Sequence, residues 1–166
     1  MTKETLLSFH GDVNIKNQLI KNLEMHKEMD NFRQGIYFEN GKGCAVGCSI
    51  ADFGGITSLH AEYERLFGIP RVLAKIEDGI FEGLSADDSK DWPINFIKSI
   101  PVGVDISLIS DRFLHWLLVD LRENIKISNP TAFNKVIELC ERKISGEVVS
   151  SDEWRAAAAY ADADAA

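Results

Sequence analysis

The chain has 166 residues, 45% hydrophobic and 27% charged, a balance that belongs to a soluble folded protein rather than a disordered one. Its formal net charge of -8, with lysines and arginines scattered along the sequence, repels a phosphate backbone and argues against direct nucleic-acid binding. No apolar run is long enough to span a membrane and MTKETLLSFHGD lacks a signal-peptide core, so the three cysteines read as reduced thiols of a cytoplasmic protein.

Asp12 is placed to cap a helix running to about Asn31, whose Ile15, Leu19, Leu23 and His26 recur at three- and four-residue spacing. The next stretch, QGIYFENGKGC, changes character. Aromatic and β-branched residues precede the Asn-Gly pair of ENGK, which predicts a small hairpin or tight turn over residues 36–44. A helix restarts at Cys44 and stops before Gly54 and Gly55. Ser58 then caps a short helix to Phe67, ended by Gly68, and Pro70 falls in the first turn of another, where a missing N–H is tolerated. That helix carries Val72, Leu73, Ile76, Ile80 and Phe81 as its apolar face and ends at Gly83, with SADDSKD as the surface connection after it.

Asp91 before Trp92 and Pro93 reads as the start of a helix that turns Phe96, Ile97 and Ile100 inward and is closed by Pro101 and Gly103. Ser107 or Asp105 opens SLISDRFLHWLLVDL, apolar on nearly every side and expected to be the central buried helix. Asn129 and Pro130 begin one more, with Phe133, Val136, Ile137 and Cys140 on its face. Ser150 and Glu153 have capping-box spacing ahead of EWRAAAAYADADAA, and the unfinished alanine pattern is expected to continue beyond Ala166. The predicted fold class is mostly α: a compact single-domain helical bundle over residues 1–150, with a small β-hairpin or turn near 36–44, followed at 151–166 by the start of an alanine-rich C-terminal helix.

Cys44 and Cys48 in GKGCAVGCSI carry the most chemistry. At i and i+4 of a helix they share a face, where they either pack as small apolar groups, or hold a metal with His60, His26 or His10 as further donors, or supply a nucleophile. Cys44 at a helix N-terminus has a physical basis for thiolate character, with His10 (beside Asp12) or His26 as its base. Packing is the preferred reading, because Asp12 is explained as a cap and zinc needs four ligands. His60 and Glu64 in HAEYE form an i, i+4 pair without the second histidine of a zincin motif. Glu77, Asp78 and Glu82 in IEDGIFEGL are expected to be the solvated face of their helix, and Trp92, Phe96, Phe113 and Trp116 to be core. Gly41, Gly43 and Gly47 complete neither phosphate-loop spacing, so no cofactor is predicted.

The segments SFHGD (8–12), QGIYFENGKGCAVGCSI (34–50), YERLFGIPRVLAKIEDGIFEGL (63–84), WPINFIKSIPVGVDISL (92–108) and FLHWLL (113–118) together resemble a family of uncharacterised bacterial and phage proteins with an alanine-rich tail. In that family pattern a His and a Ser closely follow the second Cys, whereas here ADFGGITSLH intervenes and His60 is the nearest candidate. The resemblance implies a small helical protein, often carried by mobile elements, and implies no activity.

With no complete catalytic motif, the expected function is a non-enzymatic interaction protein of phage or mobile-element origin, an acidic inhibitor of a host factor being one version. Its partner is a protein or a second copy, with no membrane and no nucleic acid. The alternative is a cysteine-dependent hydrolase or transferase using Cys44 with His10 or His26.

Overall fold

Asp12 does cap the first long helix. Its carboxylate accepts the Asn14 amide at 2.8 Å, opening α1 (Val13–Glu28), on which Leu19, Leu23 and His26 turn inward. The computed structural model of the chain describes residues 5–125 and 130–163, with side chains described to residue 159. Those residues form a mostly helical fold with one small antiparallel hairpin, and no described helix is long and apolar enough to cross a membrane. The chain divides into two compact units, Met1–Ser107 and Leu108–Ala166, and the alanine-rich segment falls within the second.

In the first unit α1 is followed by the strands β1 (Phe38–Glu39) and β2 (Lys42–Gly43), and then by α2 (Ala45–Ala51), α3 (Glu62–Phe67), α4 (Arg71–Gly83) and α5 (Asp88–Ser99). Its core gathers Leu19, Leu23, Cys48, Ile50, Tyr63, Phe67, Phe81 and Ile97, with Phe53, Phe67 and Tyr63 stacked edge to face. The turn Ser8–Gly11 feeds this core from an unusual backbone. Phe9, His10 and Gly11 are all left-handed, at φ 53, 51 and 76°, which costs the two non-glycine residues about 1–2 kcal/mol each. Complete burial of the Phe9 ring offsets that by about 3 kcal/mol. Backbone bonds between Ser8 and the Gly103 and Val104 peptides, both 3.0 Å, hold the turn in place.

Three helix starts differ from the sequence expectation, one being that of the helix Ile109–Asn124, which has Leu108 rather than Ser107 or Asp105 in the cap position. Ser58 lies in a turn, and α3 begins at Glu62 with no side-chain cap, although Gly68 ends it in the left-handed conformation as predicted. Asp91 is already in the first turn of α5, which starts at Asp88, where Ser85 Oγ accepts the Asp88 amide at 3.1 Å. Pro93 is therefore inside the helix and fully buried, where it has no N–H to give to the carbonyl four residues earlier.

The second unit comprises α6 (Ile109–Asn124), α7 (Pro130–Ile144) and α8 (Ser151–Ala163), α7 packing against both of the others. The α6 segment is not the central buried helix its composition suggests: none of its residues is buried, and Trp116 is 58% exposed. The buried set lies instead on α7, at Ala132, Ile137, Leu139 and Cys140, because the middle helix of three is the one covered from two sides. Lys143 ties α7 to Asp111 of α6 at 2.8 Å, and Arg142 ties it to Glu153 of α8, also at 2.8 Å. The capping box is present: the Glu153 amide donates to Ser150 Oγ and the Ser150 amide to the Glu153 carboxylate. The proposed cap at Asn129 and the terminal Asp164, Ala165 and Ala166 lie outside the described residues.

Candidate metal centre

The glycines of GKGCAVGC each answer a separate geometric demand. Asn40 and Gly41 take φ of 52 and 79°, the two positive values a type I′ hairpin turn requires, and Phe38 pairs with Gly43 across it. Gly43 and Gly47 are needed for close approach. A Cβ on either would fall 2.0 or 1.6 Å from the Tyr37 carbonyl oxygen. The peptide of Tyr37 is thereby pressed onto the first turn of α2. The Cys44 amide donates to the carbonyls of Ile36 (2.8 Å) and Tyr37 (3.1 Å), and its sulfur caps the helix by accepting the Gly47 amide at 3.3 Å.

Into the space beside this sulfur α4 delivers Asp78 and, one turn on, Glu82. One ligand atom from each of Cys44, Asp78 and Glu82 lies within 4.8 Å of the others, the one such grouping of three metal-capable side chains among the described residues. The residues 34–37 run across the C-terminal end of α4 as a strap. Gln34 Nε2 donates to the carbonyls of Phe81 (2.7 Å) and Leu84 (3.0 Å), and the Gly35 amide to Glu82 Oε2 (2.8 Å). Strap, thiol and carboxylates together line a cavity of about 230 Å³ whose walls are Gly35, Ile36, Tyr37, Cys44, Asp78 and Glu82.

Electrostatically the site gathers negative charge with nothing positive in its lining. Burial, and then the neighbouring Asp78 carboxyl, push the Cys44 thiol far above the ordinary range, so that it is held as S–H. His60 Nε2–H donates to Asp78 Oδ2 at 2.9 Å, in a position where both side chains are mostly covered. The other oxygen, Asp78 Oδ1, is buried and has no hydrogen-bond partner. Immediately behind, Glu77 is wholly buried and its carboxyl is pushed up to about 8 by desolvation, so it is mainly protonated at neutral pH. The Tyr63 hydroxyl lies close enough to interact with it, though no hydrogen bond closes.

The expectation that Glu77, Asp78 and Glu82 form a solvated face is therefore overturned for the first two, Glu82 being the exposed one. The inward line of α4 runs through Ala74, Glu77 and Phe81, while Ile80, assigned inward from the sequence, is 39% exposed. The rotation follows from the partners. Trp92 of α5 donates its Nε1–H to the Glu77 carbonyl at 3.0 Å, and the strap grips the last turn, so the helix presents its carboxylates to the Cys44 side.

The other predicted site residues separate. Cys48 is buried on α2 with its sulfur directed to the Gly43 carbonyl at 3.5 Å and its thiol pushed up to about 12, chiefly by burial. His26 donates from Nε2 to Asp52 at 3.0 Å, which ties α1 to the end of α2, and accepts the Asn31 side-chain Nδ2 at Nδ1. His10, exposed on the left-handed turn, donates to the Arg65 carbonyl at 3.1 Å. Of the three histidines weighed, His60 alone reaches the Cys44 cluster, and it does so through Asp78. The i, i+4 spacing of Asp78 and Glu82 is the available sequence signal for the missing ligands. Compared with models of protein families, with curated proteins and with solved structures, the chain matches none.

Proposed function

We propose that the first unit binds one zinc-class divalent ion between the Cys44 sulfur and the carboxylates of Asp78 and Glu82. The observation that carries this reading is the convergence of those three side chains on one cavity, where Asp78 Oδ1 is buried without closing a hydrogen bond and the Cys44 thiol is near enough to interact with the Asp78 carboxyl. One thiolate with two carboxylates favours zinc or ferrous iron over magnesium or calcium, which take oxygen ligands alone. Cys44, Asp78 and Glu82 would supply three protein ligands, the number found at catalytic rather than structural zinc, and a bound ion would there activate water. Metal-assisted hydrolysis of a small substrate is the reaction class such a site serves. Binding displaces the thiol proton to solvent, so ion uptake releases acid.

Titrating metal-free protein with Co²⁺ tests this. The expected result is saturation at one equivalent with a near-ultraviolet sulfur-to-cobalt band, lost in Cys44→Ser, weakened in Asp78→Asn and Glu82→Gln, and retained in Cys48→Ser. Folded protein that takes up neither Co²⁺ nor Zn²⁺ overturns the reading.

A second reading, a non-enzymatic interaction protein working through the second unit, is favoured by one observation. Trp116 is 58% exposed on a helix with no buried residue. Light scattering of the full chain and of Trp116→Ser distinguishes a self-associating protein from one that is monomeric in both forms.

A further inference from the structure

The geometry points to His60 as the positioning residue of this site, setting which oxygen of Asp78 meets the ion; the inference rests on the metal reading. A carboxylate on a helix rotates freely about its terminal torsion unless something holds one oxygen. Here His60 Nε2–H holds Oδ2 at 2.9 Å, and the oxygen left over is the buried, unpartnered Oδ1. Of the two oxygens, Oδ1 is thus the one free to take a ligand.

His60 is itself fixed. Its ring meets that of the exposed Tyr37 edge on, with centroids 5.8 Å apart, and it is itself mostly covered. The Tyr37 carbonyl also shares the Cys44 amide with that of Ile36 and lies against Gly43 and Gly47. One residue therefore braces both the sulfur ligand and the histidine behind the carboxylate ligand. His60 comes from the turn before α3, Tyr37 from the strap and Asp78 from α4, so the arrangement joins three separate segments. An ordinary surface ion pair does not explain this. Exposed pairs of that kind are held by nothing further and contribute little, whereas both members of this one are mostly covered and its aspartate stands within reach of a thiol and a second carboxylate.

An outer partner of this kind acts by orienting its ligand, and its loss ordinarily weakens metal binding by about 10- to 100-fold. The test compares Co²⁺ and Zn²⁺ affinity and the cobalt d–d spectrum in the full chain, in His60→Phe and in His60→Gln. The phenylalanine keeps a ring against Tyr37 and removes the donor, and the glutamine restores an N–H without the ring. His60→Phe is expected to bind about 10- to 100-fold more weakly with a shifted d–d spectrum, and His60→Gln to recover part of the loss. Circular dichroism and melting of the metal-free forms establish that each variant is folded, and His60→Ala replaces His60→Phe if the larger ring prevents folding. In an Asp78→Asn background the His60 substitution is expected to have no further effect on affinity. Wild-type binding with unchanged affinity and spectrum in the donor-deleted variant overturns the role of His60 and leaves the metal site standing. Absence of binding in the wild type removes both.

Discussion

The Tyr37 carbonyl oxygen and Gly47 share a space that holds only one of them and a side chain: a Cβ at Gly47 would lie 1.6 Å from that oxygen. Alanine at this helical position would ordinarily add about 1 kcal/mol of stability over glycine. Here the clash is with backbone, which cannot rotate away. Gly47→Ala is therefore expected to lower stability by about 3 kcal/mol and to lift the strap off Cys44. Denaturant melts, together with faster hydrogen exchange at the Cys44 amide, check this. A variant as stable as the parent would show that the Tyr37 carbonyl does not lie against Gly47.

Gly79 gives the opposite sign from the same substitution. It is an exposed residue inside α4, with ordinary helical backbone and nothing within 4 Å of where its Cβ would sit. Gly79→Ala is expected to raise stability by about 1 kcal/mol, through helix propensity and the reduced freedom of the unfolded chain. Thermal melts of Gly47→Ala and Gly79→Ala side by side separate close approach from propensity.

The thiols supply a third test, which bears on the cysteine-nucleophile alternative. Cys44, Cys48 and Cys140 are all buried, and burial raises each of them above its ordinary range. A thiol that is both covered and protonated attacks slowly. None of the three is expected to react with an aromatic disulfide reagent on the timescale of mixing in native, metal-free protein, and all three are expected to react in denaturant. A rapid burst of one equivalent assigned to Cys44 would restore the nucleophile reading.

These residues show why part of the molecule is legible in the sequence and part is not. The Asp12 cap, the Asn40–Gly41 turn, the Gly68 stop and the Ser150–Glu153 box are each decided within four residues of themselves, by dihedral preference and local hydrogen bonds. The burial of Glu77, the partial covering of Asp78 and the exposure of α6 depend on which neighbours cover which face, and those neighbours are distant in sequence. Composition alone points the wrong way in both places: it sends an acidic run to solvent and an apolar one to the core. Cys44 can be placed at a helix start from the sequence. That its partners stand on α4 follows from the strap and from the Trp92 bond, neither of which leaves a periodic trace.

The last prediction concerns pH and the second unit. Glu153 is held well below the usual carboxylate range, at about 2, first by the Ser150 amide and then by the Arg142 guanidinium and the Ser150 hydroxyl. A carboxylate whose pKa is lower in the folded chain than in the unfolded one favours folding while it is ionised in both. Its contribution is fully present above the unfolded value near 4.5 and is lost as pH falls from there toward 2. The attachment of α8 to α7 should weaken through that window, since Glu153 is both the cap of α8 and the partner of Arg142. Melting temperature measured between pH 6 and about pH 2 is expected to fall less steeply in Glu153→Gln than in the parent, the two curves converging at the acid end. Equal slopes across the window would mean that the capping box is not closed in solution.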